Sequence, residues 1–418
     1  MVTTDGATAP PQGLPLPRLL ARLDTERLRR YREHLDFYRG LQWRGTAHRW
    51  ERRLTFNYAR VLVEKVTSYL VQGLAVALEP VDPTSEGYRR AREAEQALQE
   101  VAEASALEQL DFDTELDAAV LGDGCYKVVW DEEEGRVRVT APDVQGLFAW
   151  WVPDDPQRVW RVAARYRLPA EEAAHLYGVR PRQRGEVTVV EGWTADTLEL
   201  WVEEELADRR PNPYGFIPFV IFPNLREPKQ FWGVSDLPAL MEPSRELNRA
   251  LSQLSMILEL SGNPIAVLEG VEEARDIAVQ PGAVWELPER ARAYLLDLLQ
   301  GIAFGDNPRS LSGVAREMEL HPLLQRVRRK RLIRTAVYRR RVELALRLLE
   351  GRLGVRWGPL RVRVLWGPLL PQDRHRLVQE ERLLVEAGLH SRRRAMEALG
   401  VEDPEAEEAR VRAERAQG

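Results

Sequence analysis

The sequence predicts an α+β fold, with helices gathered at the two ends of the chain and an antiparallel sheet between them. Three observations carry this reading. Apolar residues recur at helical spacing near the start, as Leu28, Tyr31, Leu35, Tyr38 and then Val61, Val63, Val66, Leu70. Past Gly122 the period changes, and short runs rich in Val, Tyr and Trp follow one another between turn residues. Late in the chain, residues 315–351 read as one long helix, roughly 50 Å at 1.5 Å per residue.

In order, residues 1–16 are rich in Pro, Thr and Gly, and residues 1–24 are expected to be a disordered arm. The first long helix is expected to start with Asp24 or Thr25 as N-cap and to end at Gly40, and the next to be capped by Asn57 and closed by Gly73. Helices are predicted over Arg89–Ala104 and Leu107–Val120, and Gly122-Asp123-Gly124 breaks the second. Strands are expected over Cys125–Trp130, Arg136–Thr140, Phe148–Val152, Val159–Leu168, Glu186–Trp193, Thr197–Val202 and Phe216–Phe222, with a short helix over Ala170–Leu176. A helix over Ser235–Leu260 is expected to break at Pro243, and Leu247, Leu251, Leu254 and Leu258 stand on it at near-heptad spacing, suited to packing on a neighbour. Short strands around 265–268 and 284–287 lead to a loop, 301–313, and the long helix, which Pro322 should kink near its start. A strand over 355–365 and a charged helical pair, 373–387 and 391–399, complete the chain.

Composition narrows the function. At 418 residues, 44% hydrophobic and 30% charged, the chain has the balance of an ordinary globular protein with more than one core. Its net charge of −5 lacks the basic excess of a tight nucleic-acid binder. The positive charge is local: nine basic residues (Arg326, Arg328, Arg329, Lys330, Arg331, Arg334, Arg339, Arg340 and Arg341) and no acidic one fall between Leu320 and Val342. This run is expected above all to form ion pairs within and between subunits, ahead of a solvated face or direct contact with DNA. Lysines stand only at 65, 127, 229 and 330, so arginine is the cation nearly everywhere, as a GC-rich gene would encode. With Cys125 alone there is no intrachain disulfide framework. Residues 1–17 lack the basic start and apolar core of a signal peptide, and the most apolar window, Leu251–Leu268, is interrupted by Glu259, Asn263 and Pro264. A soluble protein made in a reducing cytoplasm is expected, with no membrane partner.

Catalytic constellations are missing. His34, His48, His175, His321, His375 and His390 form no pair at ligand spacing. Cys125 reads as a structural thiol in a strand, and Asp154-Asp155 as a turn between strands. No glycine is followed by lysine, so the phosphate-gripping loop of P-loop ATPases is absent. No enzymatic activity, metal or cofactor is expected.

Several stretches, weak singly but ordered over most of the chain, carry a resemblance. They are Arg27-Leu28-Arg29-Arg30-Tyr31-Arg32-Glu33 with Asp36-Phe37-Tyr38-Arg39-Gly40, Asn57-Tyr58-Ala59-Arg60, and Gly122-Asp123-Gly124. Further on come Gly233-Val234-Ser235-Asp236-Leu237, Gln280-Pro281-Gly282 with Trp285, and Ser312-Gly313-Val314-Ala315. Last are Glu386-Ala387-Gly388-Leu389 with Arg394-Ala395, and Leu399-Gly400-Val401-Glu402-Asp403-Pro404. In this the chain resembles the portal proteins of long-tailed phages. The resemblance implies a ring, usually of twelve identical subunits, at one capsid vertex of a phage, prophage or gene-transfer particle, assembled in the host cytoplasm. Double-stranded DNA passes through it, driven inward by a separate terminase ATPase and later ejected. It implies a wing over 25–234 with a returning strand over 352–370, a stem helix over 235–262 and a small α/β clip over 263–300. A tunnel loop over 301–314, the long helix over 315–351 and a helical crown over 371–418 follow. Implied partners are other copies of the chain, the terminase large subunit, a head–tail adaptor, and capsid and scaffolding proteins. The tunnel-loop residues Asn307, Arg309, Ser310 and Ser312 would face DNA, held weakly so that it slides. Arg328, Arg329, Arg331 and Arg334, with Leu251, Leu254 and Leu258, would lie at subunit interfaces.

One departure stands out. Between clip and tunnel loop the family has a second stem helix, and here residues 291–300 allow two or three turns rather than a helix of about 20 residues. Either the stem has one wall helix, or the gene carries an internal deletion that compromises ring assembly and packaging. Two other classes remain open: a non-phage nucleic-acid scaffold whose arginine helix lies on phosphates, and, behind it, a nuclease or hydrolase.

Overall fold

The computed structural model describes residues 15–47, 51–178, 185–262, 266–269, 284–287, 313–369 and 374–399. The expectations for the residues between and beyond these lie outside what is described: most of the arm and of the clip, the tunnel loop up to Ser312, the second-stem-helix question, and the last residues of the crown. The chain is α+β with antiparallel sheets, and it divides into two units, one of residues 1–71 and 76–364, the other of residues 72–75 and 365–418.

In the first unit, the end of the arm expected to be disordered forms a helix, α1 (Leu16–Leu20), because Leu16 and Leu20 are buried against Phe148 and Val190, and α2 (Thr25–Tyr38) buries Tyr31, His34 and Phe37. Asp24 holds the N-cap position of α2, one of the two residues expected there, but makes no side-chain capping bond. It takes a left-handed φ of 54°, and its carboxylate instead accepts from Arg27 Nη2 at 2.9 Å, the stronger, charge-assisted bond. α3 (Tyr58–Val71) is capped by Asn57, whose Oδ1 accepts from Arg60 N at 3.2 Å. β1 (Ala75–Pro80), which hydrophobic periodicity did not reveal, pairs with β12 (Leu360–Leu365). Thr84 caps α4 (Ser85–Ala104), accepting from Gly87 N at 3.0 Å, and α5 (Leu107–Leu121) ends at Gly122, whose φ is 117°.

That glycine matters twice. A Cβ on Gly122 would meet Gly233 O at 3.1 Å, and one on Gly233 would meet Gly122 O at 2.4 Å, so two backbones cross where only glycines fit. From this crossing β2 (Asp123–Asp131) runs between β3 (Arg136–Thr140) and β9 (Phe219–Pro223) in a three-stranded antiparallel sheet. The second sheet is an antiparallel meander in chain order: β4 (Leu147–Val152), β5 (Asp155–Pro169), β6 (Glu186–Trp193), β7 (Thr197–Val202) and β8 (Glu205–Pro211). Its central strand β6 buries Val190 with Leu16, Leu20, Phe148 and Trp150 in one cluster, and Val187 and Val189 in another beside Ala173 of α6 (Ala170–Tyr177). β8 had no apolar signature to betray it, since all seven of its residues are exposed. The main core joins α2, α3, α5, β2 and β9 through Tyr31, Phe37, Val63, Val120, Cys125 and Phe219.

α7 (Pro238–Gly262) continues through Pro243, against the expected break. The proline lies in the second turn and removes one donor to the Ala239 carbonyl, while Leu237 and Met241, both N-terminal to it, are locked in the core. β10 (Ala266–Glu269) and β11 (Val284–Leu287) form a parallel pair, and α8 (Gly313–Leu353) runs unbroken past Pro322 for 41 residues, about 60 Å. β12 begins at Leu360, later than 355, because Gly354 and Gly358 take left-handed φ values of 68° and 81° and keep the intervening chain out of strand geometry. Among the described residues no helix is long and apolar enough to cross a membrane.

The second unit holds α9 (Arg374–Glu386) and α10 (Arg392–Ala398), joined through Gly388 at φ 69°. Ser391 Oγ accepts from Arg394 N at 3.2 Å, and His390 Nδ1 lies 2.8 Å from Glu381 Oε2 across the turn. In the same unit Gly73 and Gly367 touch: a Cβ on Gly73 would come within 2.7 Å of Gly367 Cα.

Candidate functional site

The basic residues of α8 are not one surface. Arg326, Lys330, Arg334, Tyr338 and Arg341 fall three or four residues apart and so share a face, and that face turns inward. Arg334 is wholly buried. Its Nε donates to Glu115 Oε1 and Oε2 at 2.6 and 2.8 Å, and its Nη1 to Pro223 O at 2.7 Å and Asn224 O at 3.2 Å. Tyr338 Oη donates to the same Glu115 carboxylate at 3.0 Å. One turn earlier on α5, Asp111 takes both Arg341 Nη atoms and the Tyr126 hydroxyl, the last at 2.8 Å. Burial alone would depress the Arg334 and Arg341 guanidiniums; the facing carboxylates more than offset it and hold both above the ordinary arginine value. The result is a ladder of buried ion pairs fixing the register of α8 on α5.

At its N-terminal end the ladder reaches the root of α7. Asp236, two residues before that helix, accepts from Lys330 Nζ at 2.5 Å, Arg326 Nη2 at 2.7 Å and Asn224 Nδ2 at 3.0 Å. Burial depresses the Lys330 ammonium, with Asp236 offsetting only part of that, while burial of Asp236 is outweighed by the two cations and its carboxyl lies below the usual range. Asn224 thus links the Arg334 and Asp236 clusters, so that α8 and the start of α7 share one polar anchor. Nearby, Asp123 Oδ1 accepts from Gly233 N at 2.7 Å and Oδ2 from Tyr31 Oη at 2.5 Å, closing the Gly122–Gly233 crossing.

α7 repeats the pattern in neutral form. Ser244, Asn248 and Ser252, at successive i+4 positions, are buried. Asn248 Oδ1 accepts from Phe56 N at 2.8 Å, its Nδ2 donates to Gln42 Oε1 at 2.6 Å, and Ser252 Oγ accepts from Leu54 N at 2.9 Å. Beside that face runs the leucine stripe. Leu251 and Leu254 are half-buried, Leu247 is 40% exposed and Leu258 54%, and Met256 and Ile257 are exposed as well. Water-facing leucines beside buried serines and asparagine reverse the usual distribution.

The residues singled out from sequence therefore part company. Arg334, expected at a subunit interface, is excluded from one by its burial within its own chain. Arg331 is also largely covered, its Nη2 donating to Tyr69 O at 2.9 Å. Arg328 and Arg329 are exposed, as are Leu332 (77%), Arg339 and Arg340, which line the outer side of α8. Asn307, Arg309, Ser310 and Ser312 lie outside the described residues. Asp111, Glu115 and Asp236 were missed. The i, i+4 spacing of Asp111 and Glu115 was the available signal, matched by that of Arg326, Lys330 and Arg334, though Glu108, Asp113 and Asp117 on the same helix dilute it.

Catalytic groups do not converge on this anchor. The Cys125 thiol is buried in β2 and pushed up by that burial, away from the thiolate a nucleophile needs. Among the described residues no three His, Cys, Asp or Glu side chains gather in a metal-holding group. Asp154 sits in the β4–β5 turn and Asp155 opens β5. The chain matches no protein-family model, and no curated protein matches it.

Proposed function

We propose that the chain is a portal subunit: one member of a homo-oligomeric ring at a capsid vertex, through which double-stranded DNA is packaged by a separate terminase and later released. The observation that carries this reading is the apolar stripe of α7, held by a polar face pinned to its own chain, with Leu251 and Leu254 half-buried and Leu247, Met256, Ile257 and Leu258 exposed. Such a stripe is suited to burial by another subunit. The outer side of α8 offers a second surface of different character, and a closed ring needs two unlike, complementary surfaces on each copy. The shared anchor at Asp236 supports the same reading, because helices that carry contacts on both sides must not change register under load. A net charge of −5 favours a conduit in which DNA slides over a clamp that grips it. Terminase, a head–tail adaptor, and capsid and scaffolding proteins are the partners of such a ring, and the chain itself acts without catalysis, cofactor or metal.

Exposed Arg328, Arg329, Arg339 and Arg340 favour one competing reading, a scaffold outside any phage particle that lies along DNA. Electron microscopy of the purified protein separates the two. A ring with a central hole supports the portal reading; a monomer whose affinity for duplex DNA falls steeply with salt overturns it.

A further inference from the structure

Beside α8 the first unit carries a groove of about 1240 Å³, larger than the roughly 300–1,000 Å³ of a small-molecule site and sized for a stretch of chain. Its sides are the start of β5, the β6–β7 turn and the outer flank of α8. The lining is largely apolar: Trp160 is 41% exposed and Leu332 77%, with Phe216, Ile217 and Ile333 half-buried. Hydrogen-bond donors stand around this floor without partners. Arg158, Arg226 and Arg339 are exposed and form no ion pair among the described residues, and the Trp160 indole N–H reaches no acceptor there. Of the lining arginines only Arg340 is engaged, with Glu343 at 3.4 Å. A fitting occupant offers an apolar surface, hydrogen-bond acceptors and no positive charge.

Such a segment precedes α1. It reads Ala9-Pro10-Pro11-Gln12-Gly13-Leu14-Pro15, and no Lys or Arg occurs before Arg18. A Pro-rich stretch favours the polyproline II helix, whose carbonyls make no internal hydrogen bonds and stay free to accept, and which docks in aromatic-lined grooves at low entropic cost. Pro15, the first residue described, already has that geometry, with φ −55° and ψ 140°. The arm also enters the fold close to the groove. Leu16 packs on β6 at Gly192, where a Cβ would lie 3.0 Å from Leu16 Cδ2. Thr194 lies two residues on, roughly 7 Å at the rise of a strand, and lines the groove. Leu16 shares a cluster with Trp150, whose ring centroid is 6.4 Å from that of Trp160. The six residues from Ala9 to Leu14 span about 19 Å at 3.1 Å per residue, enough to pass from Pro15 into the groove.

We propose that residues 9–14 lie in this groove of their own subunit as a polyproline segment, prolines against Trp160 and Phe216, carbonyls accepting from the arginine rim and the Trp160 N–H. The occupant is the chain's own arm because its tether begins beside the groove. A short tether sets an effective concentration on the order of millimolar, so a contact too weak for a separate peptide suffices. The arm is then a built-in occupant, and any other ligand of the groove has to displace it first. This holds whether or not the chain forms a ring.

The test uses the full-length protein with Gln12→Cys carrying a nitroxide label; Cys125 is buried, so the label goes to position 12 alone. Electron paramagnetic resonance is expected to show the label moving with the body. Pro10→Ser with Pro11→Ser, or Trp160→Ala, should shorten its correlation time several-fold, toward that of a loose chain end. In the proline variant, which leaves the groove itself unaltered, hydrogen exchange of residues 156–160 and 215–217 should quicken several-fold. Circular dichroism and thermal melting check folding. A label already fast in the chain with Gln12→Cys alone, a label that stays slow in both variants, or exchange unchanged by the proline variant overturns the inference. A labelled Trp160→Ala chain assembled with excess unlabelled, unaltered chain should keep its fast label. A slow label in that mixture puts the arm in a neighbour's groove and overturns the assignment to its own subunit.

Discussion

The five-stranded sheet and the helix pair α7–α8 solve the problem of an interior in opposite ways. The sheet buries Val187, Val189 and Val190 with Phe148 and Trp150, the apolar-in arrangement that area-proportional hydrophobic stabilisation favours. The helices turn Ser244, Asn248, Ser252, Lys330, Arg334 and Arg341 inward beside apolar residues such as Val327, Val337 and Leu344, and leave Leu258, Leu332 and a row of arginines in water. The valine cluster of the sheet tolerates small shifts, since methyl groups have no fixed partners, although Glu191 on the same sheet holds Lys127 and Tyr166 at 2.6 and 2.8 Å. An arginine bonded to Glu115, Pro223 and Asn224 does not, because each bond has a direction and each unpaired charge a large desolvation cost. The difference teaches that α7 and α8 are built for fixed position with outward surfaces kept for contacts, while the sheet is built for stability.

The largest effect should come from breaking the ladder on one side only. Glu115→Ala leaves Arg334 buried without its carboxylate and strips Tyr338 of its acceptor, and a loss of about 3–5 kcal/mol is expected. Urea unfolding of the variant under conditions where it is monomeric measures this, with an unchanged m-value marking it as a stability effect. Replacing both partners, as in Glu115→Leu with Arg334→Met, should recover most of the loss, since no charge is left stranded. A double variant as unstable as the single one would mean that packing, not charge, holds α8 in place. In the sheet region Leu147→Ala should cost about 2–4 kcal/mol through the cavity it leaves, and no second substitution of opposite charge can rescue it.

How much of this was legible follows the same division. The meander could be read from alternation because β6 and β7 match their sequence pattern residue for residue, Glu186–Trp193 and Thr197–Val202. β8 could not, because Glu-Leu-Ala-Asp-Arg-Arg-Pro carries the composition of a solvated loop, and only its neighbour β7 makes it a strand. On α8, the length and the basic run were plain, yet the division of that run into inner and outer faces was not. A periodicity rule expects apolar residues inside, so arginines at i, i+4 read as surface until Asp111, Glu115 and Asp236, up to 230 residues away in sequence, are placed opposite them. Arg334, expected at a subunit contact, pairs within its own chain instead, and that pairing is long-range and invisible locally.

Acid titration sharpens the comparison at smaller amplitude. His34 is buried against α5 and its imidazole is held below its ordinary value, chiefly by that burial. The unfolded chain then binds the proton first, so stability falls as pH drops below about 6.5, by at most about 1.4 kcal/mol per unit. Asp236, held below the carboxylate range, contributes stability above its unfolded value and loses it only in stronger acid, as pH falls through the lower folded value. His34→Phe should therefore flatten the shallow limb that begins below about pH 6.5 and leave the steep acid limb in place. Loss of both limbs together would show that the core around α2 and the anchor at Asp236 unfold as one.

The smallest effect on the isolated chain is expected where the largest effect on assembly lies. Leu258 is more than half exposed, and the inward positions of the same helix, Asn248 and Ser252, hold α7 without it. Leu258→Ser should change the monomer's unfolding free energy by no more than about 0.5 kcal/mol, as surface substitutions do. If another subunit covers the stripe, the same change should weaken self-association by about tenfold or more, because a buried leucine contributes about 1.5–3 kcal/mol on leaving water. Sedimentation velocity across a concentration series reads both species at once. A variant that assembles normally would mean that the apolar stripe faces water throughout, and the main support for a ring of these subunits would be gone.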